Sequence, residues 1–137
     1  MTAAERQDTL VEEYRWIEDA RERFQSIVDS APTGPVLEEG ERTDGNLVPG
    51  CVSRVWLVVH READGTCRVG IESESPALAG IAVLFRRIYD GATHGEILAT
   101  EPDFIERLGI DHFLTPTRLR GLRRLRALLV ERCGETR

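Results

Sequence analysis

Three cysteines, three histidines and a surplus of carboxylates are the residues of this chain able to do covalent, acid–base or metal chemistry. Nucleophilic sulfur chemistry needs a thiol that is reachable and partly ionised. Of Cys51, Cys67 and Cys133, Cys51 has the most unusual setting. In "NLVPGCVSRVWLVVH", residues 46–60, it stands directly behind Pro49-Gly50 and directly ahead of an apolar run that reads as a strand. Pro49 stiffens the turn, and Gly50 reaches backbone conformations closed to other residues while leaving the thiol uncrowded. Arg54, three residues on, is placed to favour the thiolate. On these residues alone, a catalytic Cys51 and a structural one are equally good readings.

The other candidates carry less. Cys67 alternates with polar residues and reads as a small buried hydrophobe. Cys133 stands at a helix C-terminus, where the negative end of the dipole disfavours a thiolate. An odd number of cysteines in a chain that reads as cytoplasmic argues for free thiols rather than disulfides. No C-x-x-C pair occurs, and His60, His94 and His112 are scattered, so spacing offers no closed zinc site and no metal is expected. The sequence also lacks a P-loop, G-x-G-x-x-G, G-x-S-x-G or H-E-x-x-H.

The elements that must position these residues are written in periodicity and caps. Leu10, Val11, Tyr14, Ile17, Phe24, Ile27 and Val28 recur at helical spacing, which predicts one amphipathic helix over about 8–28. The stretch "APTGP" at 31–35 ends it. A hairpin follows over 52–73, with Asp64-Gly65 at its turn. Ser75-Pro76 is an N-cap with proline at the first helical position and opens a helix over 76–90 that stops at Gly91. Thr93-x-x-Glu96 is a capping box opening a short helix. Thr100 and Pro102 open another, ended by Gly109, and Thr115-Pro116 opens the last, striped by Leu119, Leu122, Leu125, Leu128 and Leu129 and ended by Gly134. The order of helix, small antiparallel sheet and further helices predicts an α+β fold whose sheet is covered on one face by helices.

At 137 residues the chain reads as a single domain, 1–137. Its early acids exclude a signal peptide, and its apolar runs are too short to cross a bilayer. All 18 basic residues are arginine, and the net charge of −6 is uneven: +5 over 118–137 and −11 over the first 117 residues. An acidic body argues against nucleic acid. The basic last helix reads either as a protein-docking face or as a solvated face, the latter preferred.

The run "VPGCVSRVWL" resembles the motif of the SufE family, sulfur acceptors of iron–sulfur cluster assembly, in which Gly-Cys-x-Ser-x-Val-Trp carries the active cysteine. "ESESPALAGIAVLFRRIYDGAT" is similar to the family's helix after the hairpin. "EILATEPDFIERLGIDHFLTPTRLRGL" is similar to its C-terminal part, with Leu-Gly, Leu-x-Pro-x-Arg and Gly-Leu in order. The resemblance covers about residues 7–132 and implies the SufE/IscU-like fold.

The resemblance also implies a role. Cys51 would receive a sulfane sulfur from a PLP-dependent cysteine desulfurase of SufS or CsdA type and pass it to a SufBCD-like scaffold. The chain itself would need no cofactor, the PLP being the partner's, and would be an accessory protein rather than a free-standing enzyme. It would work in the cytoplasm as a monomer or weak homodimer. Gly50, Ser53, Arg54, Glu74 and Arg118 are the positions carried over as loop support or partner contacts, Arg118 with an equally good reading as a surface arginine. The sequence departs from the family where Gln is usual at Val52 and Arg54, a basic residue at Leu47 and Asp at Glu74. Other readings stand beside this one. A metal or cluster scaffold of IscU-like type would use Cys51, Cys67 and a histidine or carboxylate. A pure interaction protein would not use its cysteine. A paralogue would feed sulfur to another pathway, such as tRNA modification.

Overall fold

The computed structural model describes residues 1–135. Among these residues there are six α-helices: α1 Ala3–Arg15, α2 Ala20–Asp29, α3 Pro76–Tyr89, α4 His94–Ala99, α5 Phe104–Arg107 and α6 Pro116–Gly134. Three strands, β1 Val55–Arg61, β2 Thr66–Ser73 and β3 Ala92–Thr93, form one antiparallel sheet in the order β1-β2-β3. The fold is α+β.

The helix expected to open at Thr100 and Pro102 instead begins at Phe104 behind Asp103, with no side-chain cap, and Thr100 ends α4. The other predicted caps form as expected. Ser75 accepts a hydrogen bond from the Leu78 N–H, Thr93 and Glu96 close their reciprocal box, and Thr115 accepts from the Arg118 N–H. Each satisfies a backbone donor that a helix start leaves free. The hairpin turn runs through Gly65 at φ +87°, and Asp64 accepts from both the N–H and the hydroxyl of Thr66.

The single helix expected over 8–28 is two. α1 begins earlier, behind a Thr2–Glu5 capping box, and ends at Arg15. Asp19 then caps α2 by accepting from the Glu22 N–H. Arg23 fixes the break by donating to the carbonyls of Ile17 and Leu108. The apolar stripe is indeed empty between Ile17 and Phe24, which is where the chain turns.

The two faces of the sheet follow the period of two. Val55 and Leu57 of β1, with Cys67, Val69 and Ile71 of β2, face the helices and join the main core around Ile81, Phe85, Ile88, Leu125 and Leu129. Trp56 and Val58 point the other way. There the irregular segment before β1 covers them, through Leu37 and Leu47. Glu72 holds that segment by accepting from the N–H groups of Val36 and Leu37, at 2.7 and 2.9 Å. Full burial of each Leu, Ile or Phe in the main core contributes about 1.5–3 kcal/mol, so the helical face dominates stability. No described helix is long and apolar enough to cross a membrane.

The two cysteines expected to stay free thiols are joined. Cys67 of β2 and Cys133 of α6 form a disulfide, with Cα atoms 6.0 Å apart and 66 residues between them in sequence. Cys67 faces inward from the sheet, as its alternation predicted, and Cys133 faces inward from the helix; both are fully buried. The two inward faces meet, which is a tertiary event that neither local sequence encodes.

A candidate thiol site on the loop before β1

Cys51 is the free cysteine among the described residues. Its loop, 49–54, is closed at the base. Leu47 bridges to Trp56, and the Val48 N–H donates to the Val55 carbonyl at 2.8 Å. From the far side, the Glu74 N–H and the Ser73 hydroxyl both donate to the Arg54 carbonyl, at 3.1 Å each. The turn itself depends on Gly50, whose φ of +81° lies in the left-handed region that L side chains avoid.

Within this clamp Cys51 is half-buried against the main core, while the next residue, Val52, is 79% exposed. The thiol leans on α6 at Gly121. A methyl group placed on Gly121 would lie 2.9 Å from Cys51 Sγ. An apolar cleft adjoins the sulfur, walled by Val55, Ile71, Leu78, Leu122 and Leu125, with Arg118 at its edge. Burial pushes the Cys51 thiol up from its ordinary pKa, and the nearby Arg124 guanidinium pulls it partly back. The buried sulfur is therefore held mainly as the neutral thiol, a weak nucleophile, and exposure to water would favour its ionisation.

The cation serving this thiol is Arg124, not Arg54. Arg54 instead pairs with Glu74 at 3.8 Å across the strand ends, both side chains mostly exposed. A pair so exposed adds little stability, but it ties the two sides of the loop's base. Ser53 lies in the loop, and its hydroxyl makes no hydrogen bond to another described residue. Arg118 is not a bare surface arginine: it donates to the hydroxyl of buried Ser75 at 3.1 Å, joining the start of α6 to the start of α3. Gly50, Arg54, Glu74 and Arg118 thus all converge on the Cys51 loop or its walls.

The arginines of α6 divide into two groups. Arg126, 12% exposed at its side chain, donates to the carbonyls of Ile97, Leu98 and Thr100. Arg132 donates to those of Leu57 and Gly45. These two hold the fold together, whereas Arg120, Arg123 and Arg124 are exposed, and Arg124 lies against Gly50 of the thiol loop. Cys67 is spent on Cys133, so it is not placed with Cys51 as a ligand set. Among the described residues no three His, Cys, Asp or Glu side chains converge to hold a metal ion.

Sequence reasoning used Gly121 only as part of a family motif and gave Arg124 no place at the thiol. An isolated glycine inside a helical stripe signals close packing; nothing local marks Arg124.

Residues 8–133 match the model of the SufE family, described as an Fe-S metabolism associated domain, and the chain belongs to that family. It is 28% identical over 120 residues to an uncharacterized SufE-like protein of Rhizobium etli, covering 85% of this chain and 81% of that one. It is 32% identical over 113 residues to an uncharacterized SufE-like protein of Synechocystis, covering 82% and 70%. A third relative is the chloroplastic quinolinate synthase of Oryza sativa, 34% identical over 100 residues. That match takes in 73% of this chain and only 14% of the larger protein. The solution structure of a hypothetical protein from Thermus thermophilus superposes with a TM-score of 0.74 at 22% identity, covering 93% of both chains, and shares the fold.

Proposed function

We propose that this protein is a sulfur acceptor and carrier. It takes a sulfane sulfur from a PLP-dependent cysteine desulfurase as a persulfide on Cys51 and passes it to an iron–sulfur cluster assembly scaffold of SufBCD type. The observation that carries this is the setting of Cys51: a free thiol on a clamped loop, leaning into an apolar cleft near the exposed Arg124. Membership of a family associated with Fe–S metabolism supports the pathway.

The exchange is redox-neutral. The Cys51 thiolate attacks the outer sulfur of the desulfurase persulfide, and a new S–S bond forms on Cys51. The old S–S bond breaks, and the desulfurase cysteine leaves as a thiolate that takes up a proton. The apolar cleft then keeps the loaded sulfur from water and oxidants. Exposed Arg120, Arg123 and Arg124 form the docking face on this reading, and the partner brings the PLP. The exchange takes place in the cytoplasm. A second reading, in which the sulfur serves a dedicated client, is favoured by one observation: a segment similar to this chain occurs inside rice quinolinate synthase.

The test is the intact mass of the protein after incubation with a cysteine desulfurase and cysteine, followed by mapping of the added sulfur. The expected result is one sulfur on Cys51, removed by reductant and absent in Cys51→Ser. No gain beside a demonstrably active desulfurase overturns the proposal.

A further inference from the structure

Glycine is among the poorest residues for a helix interior, yet Gly121 stands in the body of α6. Its backbone is ordinary helix, with no left-handed φ to demand glycine. What demands it is a neighbour. Apart from its own helix and adjoining residues, the one atom within 4 Å of a methyl group at 121 is Cys51 Sγ, at 2.9 Å. Real side chains do not approach so closely. The volume that a side chain would fill is therefore occupied by one sulfur atom. Beside it, between Val55, Leu78, Leu122 and Leu125, lies a void of about 10 Å³, room for the centre of about one water-sized atom.

We propose that Gly121 is the positioning residue of the acceptor thiol: its missing side chain makes a one-atom seat in α6 that holds the Cys51 sulfur out of solvent, and the thiol reacts only when it leaves that seat. The proposal rests on the sulfur-acceptor reading for its purpose, though not for its test. The void gives the outer sulfur of a persulfide a place while the inner sulfur stays seated. A longer adduct on Cys51 does not fit and has to stay outside. Leaving the seat exposes the thiol to water and removes the burial that disfavours the thiolate, while Arg124 stays near to favour it. Seat and exit thus separate a storage state from a reactive one, and the residue at 121 sets the balance between them.

The experiment measures alkylation of Cys51 by iodoacetamide in the folded protein, relative to the unfolded chain, for wild type and Gly121→Ala. The added methyl displaces the sulfur, so alkylation is expected to be at least about tenfold faster in the variant. A change below about twofold overturns the proposal. A thermal-unfolding cycle with Cys51→Ala supplies the second readout. Without the sulfur, Gly121→Ala is expected to raise Tm, because alanine favours helix; with Cys51 present, that gain is lost or reversed. Equal shifts in both backgrounds overturn the proposal.

Should Gly121→Ala fail to fold, rescue by Cys51→Ala supports the seat, and failure in both backgrounds refutes it. Neither readout involves a desulfurase. A seat that passes both tests on a cysteine that never takes up sulfur leaves the seat standing and removes the acceptor function. Sulfur uptake with unchanged alkylation removes the seat alone.

Discussion

Ser75 is where the cysteine cleft and the helix that walls it share a single atom. Its buried hydroxyl oxygen accepts from the Leu78 N–H at 3.3 Å, capping α3, and from the Arg118 guanidinium at 3.1 Å, fastening α6. Ser75→Ala removes both acceptors. Loss of an N-cap costs about 1 kcal/mol, and loss of a hydrogen bond to a charged, part-buried donor costs about another 1 kcal/mol. The unfolding entropy is roughly 2.1 cal/mol/K per residue, or about 0.3 kcal/mol/K for 137 residues. A loss of about 2 kcal/mol therefore lowers Tm by about 7 °C.

Differential scanning calorimetry of wild type, Ser75→Ala and Ser75→Asp checks the argument. Aspartate keeps the cap, suits the positive helix N-terminus and pairs with Arg118, so it is expected to restore most of the loss. In a cycle with Arg118→Ala, the two sites are expected to couple. A Ser75→Ala protein within about 2 °C of wild type, or a Ser75→Asp protein as unstable as Ser75→Ala, refutes the reasoning.

Arg124→Gln removes the positive charge that opposes the burial of Cys51. The pH profile of Cys51 alkylation is expected to move further upward, so at about pH 8 the variant reacts more slowly than wild type; an equal or faster rate contradicts the assignment. Arg126→Gln gives up hydrogen bonds to three carbonyls at the end of α4 and is expected to cost about 2–3 kcal/mol in urea unfolding. The same variant should leave the salt dependence of desulfurase binding unchanged, whereas Arg123→Glu with Arg124→Glu should slow association. Reducing the Cys67–Cys133 bond, which spans 66 residues, is expected to lower stability by about 4 kcal/mol in the chain-entropy treatment. A Tm unaffected by reductant would show that the bond does not constrain the chain.

What could be read from sequence was local. Ser75, Thr93 and Thr115 cap helices with their own side chains, so their neighbours in sequence are enough to identify them. The hairpin turn at Asp64-Gly65 and the thiol loop behind Pro49-Gly50 are local in the same sense. The break between α1 and α2 was hidden because the apolar spacing on either side stays in phase, although Asp19 and Glu22 do form a cap signature. β3, two residues long, has no pattern of its own and exists because Cys67 and Thr66 offer an edge to Ala92 and Thr93. Distance in sequence misled at the thiol. Arg54 is three residues from Cys51 but is drawn to Glu74, while Arg124 arrives from the far end of the chain. The disulfide and the Gly121 seat arise in the same way, from α6 packing back onto elements more than 60 residues earlier.

The strap laid over the outer face of the sheet has an optical consequence. The chain has two tryptophans. Trp16, 88% exposed at the α1–α2 break, belongs to the solvent, whereas Trp56, 8% exposed, lies under Leu37 and Leu47. Leu47 is also the residue that closes the Cys51 loop by bridging to Trp56. In a Trp16→Phe protein all indole emission comes from Trp56, blue-shifted and shielded from acrylamide while the loop's base is shut. Opening of that base would move the emission to the red, so the closure of the loop that carries Cys51 can be followed in real time without a label on the sulfur.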